Sequence, residues 1–252
     1  MARTVDDVAR AQRRQCFLEA AGRVIERKGY EQMTVQDVLD DVGQSKGAFY
    51  HYFDSKRALV EALVDDQGKV MFAHLERRLE APRLSAVDKF VCLFRESSRL
   101  KLERKGLWRA LLPMWLSEGN AAVRERAALH AQERLAPLLG QIITEGVVAG
   151  VFATAYPQQV GRMVVAMLED FRHIVMEVLT TRDVGARDRV RVEQAVAAFH
   201  ETLERVLGAG PGTLHLLEAA DVMAWVDESD AGPTASPSSA AMRPVSGLAG
   251  QG

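Results

Sequence analysis

Apolar residues recur at intervals of three and four through nearly all of the first 207 residues, and no segment shows the two-residue alternation of a half-buried strand. Residues 190–207 show the pattern well: Val192, Val196, Phe199, Leu203 and Val206 follow one another at steps of four, three, four and three. Arg191, Glu193, Glu201, Glu204 and Arg205 take the opposite side. This periodicity restricts the chain to an all-α fold. Its 252 residues, 48% hydrophobic and 26% charged, are enough for a sizeable core. No motif repeats at a fixed period, which argues against a helical solenoid.

Punctuation is sparse up to residue 207 and dense after it. Residues 208–213 read GAGPGT, a short amphipathic stretch follows, and the end is rich in Gly, Ala, Pro and Ser. Residues 208–252 are therefore expected to form an acidic, partly disordered tail. A short helix is expected from about Leu214 to Asp227, and disorder from Ala231 to Gly252, because such a composition buries too little apolar surface to offset its chain entropy. The only cysteines, Cys16 and Cys92, are far apart and match neither a disulfide framework nor a metal-ligand spacing. No apolar run approaches the roughly 20 residues of a membrane span. The expectation is a soluble, cytoplasmic protein with no membrane partner.

Residues 13–57 carry the strongest local signals. A first helix is expected over Arg13–Lys28, with Phe17, Ala20, Ala21, Val24 and Ile25 on its inner face and Gly29 at its end; residues 1–12 are expected to be a flexible arm. Thr34 then stands as an N-cap, with Asp37 three residues later to complete a capping box. Val35, Val38 and Leu39 make one apolar patch before Gly43 interrupts. Ser45 offers the next N-cap and opens a helix through SKGAFYHY. Helix, tight Gly-containing turn and short second helix spell a helix-turn-helix. Ser45 to Tyr52 spans roughly 12 Å at about 1.5 Å per residue, which suits a major groove about 12 Å wide.

The second helix contains Lys46 and His51 and no acid. Gly47 and Ala48 allow close backbone approach, and Ala48 offers a methyl to thymine. Tyr50 and Tyr52 carry hydroxyls suited to phosphates. Beyond it, Ser55 caps a further helix, with Lys56 in its first turn as a phosphate clamp.

In fixed register, Gly29-Tyr30, Thr34-Val35, Gly43, Ser45-Lys46-Gly47, Phe49-Tyr50-His51-Tyr52-Phe53 and Ser55-Lys56-x-x-Leu59 resemble the DNA-binding domain of TetR-family transcriptional regulators over residues 13–64. A later stretch, LAPLLGQIITEGVVAGVF, is similar to a helix of that family's regulatory domain. One departure is Val42-Gly43-Gln44 where the family often has Ala-Gly-Val. The resemblance implies a helix-turn-helix domain at 13–57, followed by a helical regulatory and dimerisation domain at 58–207. It also implies DNA contacts from Thr34, Gln44, Ser45, Lys46, Gly47, Ala48, Tyr50, His51 and Lys56, with Phe49 and Phe53 in the core. The implied partners are a palindromic double-stranded operator, a second copy of the chain and a small effector. The dimer seam would be the Val192, Val196, Phe199 and Leu203 stripe, packed in a four-helix arrangement of about Pro157–Thr181 and Ala186–Leu207 from each subunit.

For the regulatory half, Met71, Phe72, Trp108, Met114, Trp115, Met163, Met167 and Phe171 are the candidate walls of a pocket for a largely apolar effector; ordinary core packing is the alternative for each. The basic stretch Arg99 to Trp108 reads as an exposed charged face rather than an anion site. Glu169, Asp170 and His173 reach one another along one helical turn, a spacing that more often marks a solvated face than a metal site. No catalytic constellation or phosphate loop occurs, so neither enzymatic activity nor a cofactor is expected. The expected function is a dimeric repressor released from its operator by an apolar effector. The alternative is a helix-turn-helix protein with no effector, its back half serving protein contacts or chromosome organisation.

The formal charge of −2 would lower the odds of DNA binding if it were evenly spread. It is not. Residues 208–252 hold one basic and five acidic residues, which leaves +2 on the rest. Binding must then rest on a few placed contacts rather than on a strong general field.

Overall fold

The computed structural model describes residues 2–80, 84–181 and 184–225. Among these residues it is built of helices joined by short connections: α1 Ala2–Lys28, α2 Val35–Val42, α3 Lys46–Tyr52, α4 Lys56–Leu79, α5 Ala86–Leu102, α6 Lys105–Leu116, α7 Ala121–Val148, α8 Pro157–Leu179, α9 Ala186–Leu207 and α10 Ala219–Met223, with one 3-10 turn at Glu118–Asn120. The expectation of an all-α chain holds.

The helix starts follow from local chemistry. Thr34 Oγ1 accepts from the Asp37 amide at 3.1 Å, while Asp37 Oδ2 accepts from the Thr34 amide at 2.9 Å, closing the expected capping box. Ser45 accepts from the Ala48 amide at 3.3 Å and Ser55 from the Ala58 amide at 3.0 Å. Ser85 and Asp88 build a second box at the start of α5. The turn between α2 and α3 needs Gly43 at φ 67°, a left-handed conformation that a β-carbon disfavours.

Two cores result. The first packs Phe17, Val24 and Ile25 of α1 against Val38, Leu39, Phe49, Phe53, Leu59 and Leu63, and it also takes in Leu107, Leu111 and Met114 of α6. The second gathers α5, α7, α8, α9 and the segment after α9, with Leu79 from the far end of α4. Helix α4 is thus shared: Leu59, Val60 and Leu63 belong to the first core and Leu79 to the second. The expected domain boundary at 57/58 falls in the first turn of this 24-residue helix. Where α7 crosses α8, a β-carbon on Gly161 would lie 2.7 Å from the Gly140 nitrogen and 2.8 Å from the Ala136 oxygen, so only glycine permits this approach.

Three expectations need correction. Helix α1 begins at Ala2, not Arg13, so residues 2–12 continue a helix where an arm was expected. They contain no Pro or Gly, and lengthening an existing helix avoids the cost of nucleating a new one. The Val192, Val196, Phe199 and Leu203 stripe is buried within a single chain, with Phe199 ring centroids 5.1 Å from Phe171 and 5.9 Å from Phe94. These four residues are core, not a dimer seam, because α9 turns its apolar face onto α8 and α5.

The start of the tail is ordered. Leu214, Leu216, Val222 and Met223 are buried against the second core, and helix is confined to Ala219–Met223. The buried Glu204 carboxylate holds this segment by accepting from the amides of Gly212 at 3.1 Å and Leu214 at 2.9 Å. His200 Nε2 accepts from Leu216 at 3.2 Å and Leu217 at 3.3 Å. The expected disorder of Ala231–Gly252, and the last residues of the expected helix, lie outside the described residues.

Candidate nucleic-acid interface and effector cavity

Helix α3 is seated by aromatic packing. Phe17 meets Phe49 edge to face at 5.8 Å and Phe53 at 6.2 Å, which fixes the inner side of the helix. The outer side presents Lys46, Gly47, Tyr50 and His51, all exposed, with Ser45, Gln44 and Thr34 exposed beside them. Tyr50 is 49% exposed, while Phe49 is fully buried. Tyr52 is half-buried against the first core, near Phe17 at 5.9 Å.

Two expected contacts are drawn into the domain. Ala48 is half-buried against the first core, so its methyl is partly covered. Lys56 Nζ donates to the Glu31 carbonyl at 3.1 Å and sits 4.4 Å from the Tyr30 ring centroid. It ties the α1–α2 connection to α4 before it can serve a phosphate. Much of the nearby basic charge is likewise spent internally. Asp41 accepts from Arg23 and Arg27, which hold its carboxyl below the usual range; Lys28 and the Thr34 cap hold the Asp37 carboxyl down at about 2.

The sequence reading missed the contribution of the extended α1. Asp7, Ala9, Arg10 and Arg13 form a shallow groove with His51 and Tyr52 of α3. Arg10 and Arg13 are exposed there, and the Arg14 guanidinium lies 5.4 Å from the Phe53 ring centroid. The only sequence signal was an arginine-rich start whose orientation depends on how α1 crosses α3.

Behind this domain lies a cavity of about 460 Å3. Of the candidate wall residues, Met71, Phe72, Trp108, Trp115 and Phe171 line it. Met114 does not: it is buried in the first core against α1. Met163 is 58% exposed on the outside of α8, and Met167 packs against the second core away from the cavity. These three fall elsewhere because α6 and α8 each have apolar residues on more than one face, which spacing alone cannot assign to a particular neighbour. The basic stretch is not simply an exposed face either. Lys101 is half-buried and lines the cavity, and its ammonium is shifted downward by burial and by nearby Arg172, with Glu169 opposing. Glu169 pairs with Arg172, and His173 is exposed.

Helix α6 connects the two regions. Leu107, Leu111 and Met114 pack into the first core, while Trp108, Leu112 and Trp115 face the cavity. Helix α4 does the same along its length, with Leu59, Val60 and Leu63 in the first core and Met71 and Phe72 in the cavity wall.

A short helix capped by Ser45, set across a glycine turn from α2 and exposing a lysine, a tyrosine and a histidine, defines a helix-turn-helix protein. Residues 17–63 match the family described as bacterial regulatory proteins, tetR family. These residues carry that family's N-terminal domain. The chain is 39% identical over 59 residues to an uncharacterized HTH-type transcriptional regulator of Lactococcus lactis, covering 23% of this chain and 30% of that protein. It is 33% identical over 109 residues to the HTH-type transcriptional repressor Rv1474c of Mycobacterium tuberculosis, covering 42% and 56%. The chain thus spans between about a third and about half the length of these curated relatives. The crystal structure of a TetR-family transcriptional regulator from Pectobacterium atrosepticum superposes with a TM-score of 0.61 at 23% identity, over 79% of this chain and 96% of that one, which establishes the likeness of fold beyond the N-terminal domain. No helix among the described residues is long and apolar enough to cross a membrane.

Proposed function

We propose that the protein is a cytoplasmic transcriptional regulator that binds a palindromic double-stranded operator as a homodimer and leaves it when a small effector occupies the cavity. The observation that carries this reading is the double membership of α4 and α6, whose side chains both support the helix-turn-helix core and wall the cavity. A ligand that favours one arrangement of these helices biases the position of α3, which is the differential interaction that a ligand-driven population shift requires. The repressor sense is supported by the likeness to the Mycobacterium tuberculosis transcriptional repressor Rv1474c.

On DNA, Lys46, Tyr50 and His51 take the major groove, with Gly47 allowing close approach. Thr34, Gln44 and Ser45 lie at its edge, and Arg10 and Arg13 of the extended α1 reach phosphates. Lys56 acts mainly by holding α4 to the α1–α2 connection, and Ala48 by packing. Dimerisation uses the outer sides of α8 and α9, where Met163 and Val190 are the large apolar side chains left exposed. A two-fold dimer sets its recognition helices one DNA turn apart, roughly 34 Å.

The double variant Lys46→Ala with Tyr50→Ala tests the DNA assignment. Specific gel-shift affinity for a fragment recovered by genome-wide mapping of bound DNA should be abolished while sedimentation is unchanged; undiminished affinity would refute the α3 assignment. A rise in melting temperature with apolar compounds supports the effector pocket. No shift with any compound favours a DNA-binding protein without an effector.

A further inference from the structure

The cavity is apolar over most of its wall, and its charges are unevenly matched. Five Lys or Arg side chains and three carboxylates line it. Each carboxylate already has a cationic partner: Glu61 pairs with Arg57 at 2.9 Å and Arg126 at 3.2 Å, Asp65 with Lys69 at 2.5 Å and His130 at 3.3 Å, and Glu169 with Arg172. Lys101 has no hydrogen-bond or ion-pair partner among the described residues, although it is half-buried in the wall. The Nε of Arg172 is also buried without an acceptor, its guanidinium 5.0 Å from the Trp115 ring centroid. The orphaned guanidinium donor next to an apolar wall is costly unless an acceptor satisfies it, and the unpaired Lys101 ammonium beside it adds a positive charge that favours an anionic one.

We propose that the effector is an amphipathic carboxylate whose head is held by Lys101 and Arg172 and whose apolar body lies along Phe72, Trp108 and Phe171. The inference rests on the reading of this cavity as the effector site and names the chemistry of its ligand. Burial and Arg172 push the Lys101 ammonium below its ordinary range, an effect that an incoming anion reverses. At about 30 Å3 per water-sized group, the 460 Å3 cavity holds an acid of about fifteen non-hydrogen atoms or fewer. The chain's three tryptophans, Trp108, Trp115 and Trp225, all line the cavity, so its occupancy can be read from intrinsic fluorescence.

The full chain is titrated with decanoate, 1-decanol and decylammonium, each below its aggregation concentration, and followed by tryptophan emission and calorimetry. Decanoate should bind at least about tenfold tighter than 1-decanol, the discrimination expected of one charge-assisted hydrogen bond. Lys101→Met should remove that preference by weakening decanoate while leaving 1-decanol within about twofold, well below the effect of that charge. Glu169→Gln, which removes the carboxylate competing for Arg172, should tighten decanoate. The 1-decanol control and the opposite sign of the Glu169→Gln effect separate loss of the head-group site from loss of the fold. Equal binding of decanoate and 1-decanol, tightest binding of decylammonium, or a Lys101→Met protein that keeps the decanoate preference would overturn the carboxylate assignment while leaving the cavity reading intact. If none of the three probes binds the wild-type protein, the effector-cavity reading itself fails.

Discussion

Replacing Glu204 by alanine should destabilise the protein by about 3 kcal/mol, although the residue touches neither the cavity nor α3. Its carboxylate accepts two backbone N–H groups from the segment after α9, at 3.1 Å from Gly212 and 2.9 Å from Leu214. A hydrogen bond to a charged group contributes roughly 1.5–3 kcal/mol, so the pair contributes about 3–6 kcal/mol. The lower end applies because Gly212 is exposed and its amide can return to water, whereas the Leu214 amide stays buried and orphaned. The segment cannot escape that loss by peeling away, since doing so would expose Leu214, Leu216, Val222 and Met223 at roughly 1.5–3 kcal/mol each. The loss should therefore appear in global unfolding as a melting temperature lower by about 6–12 °C, at 2–4 °C per kcal/mol for a chain of this size.

Glu204→Gln keeps one acceptor oxygen and should lose about half as much. The pH dependence supplies a second check. Burial raises the Glu204 carboxyl pKa, but the amides of Leu214, Gly212 and Thr213 outweigh it, so the net shift is downward. A lowered carboxyl contributes stability above its unfolded pKa of about 4.3, and that contribution is lost as pH falls through the lower folded value. The gap between wild type and Glu204→Ala should thus be full at pH 7 and close below about pH 4. Thermal melts followed by circular dichroism over that range decide the matter. A Glu204→Ala midpoint equal to wild type at pH 7 would refute the claim that this carboxylate holds the segment down.

The neighbouring histidine gives a milder acid response. His200 Nε2 must be unprotonated to accept from Leu216 and Leu217, and burial, then His215, lower its pKa, with Glu204 and Glu218 opposing. A lowered histidine contributes stability above its unfolded value of about 6.5 and loses it as pH falls. Trp225 emission should therefore change below that pH, and His200→Ala should abolish the step; a step of equal size in the variant would exclude His200 as its source. Phe49→Ala, which removes a fully buried ring from the Phe17 and Phe53 cluster, should cost about 3–5 kcal/mol in denaturant unfolding and weaken DNA binding with it. Gly161→Ala should cost roughly 1–3 kcal/mol, because the atoms that its β-carbon meets are backbone and cannot move aside; an unchanged melt would show that α7 and α8 separate freely. Asp37→Asn should lower the melting temperature at neutral pH, and the difference should vanish as pH drops from the ordinary 3.8 toward the value near 2 at which wild-type Asp37 itself takes up a proton.

Local rules were enough to locate the helix-turn-helix. Thr34, Asp37, Gly43, Ser45 and Ser55 act through bonds and backbone angles within three or four residues of themselves, so their roles could be read from spacing and the structure reproduces each cap. The all-α class and the inward side of each amphipathic helix were legible for the same reason. What spacing cannot state is which neighbour receives a buried face. Val192, Val196, Phe199 and Leu203 form the apolar stripe that spacing indicates, but the surface that closes on it belongs to the same chain and not to the expected dimer partner. Met114, Met163 and Met167 carry the same chemistry as Met71, and only the crossing of α6 and α8 with their neighbours puts Met114 and Met167 against the cores and Met163 in solvent while Met71 lines the cavity.

The segment after residue 207 shows the limit most clearly: spacing indicates a helix over about Leu214–Asp227, whereas Glu204 and His200, on the helix before it, supply acceptors to the backbone of residues 212–217 and helix is left to Ala219–Met223 among the described residues. The sequence by itself determined the all-α class and the caps of the helix-turn-helix, because those depend on contacts a few residues long. Tertiary structure alone decided that α4 reaches both cores, that α4 and α6 support the first core and also wall the cavity, that Lys101 lines this apolar cavity with no hydrogen-bond or ion-pair partner among the described residues, and that Leu217, Val222 and Trp225 complete its wall. Each of those outcomes depends on packing between residues far apart in the chain.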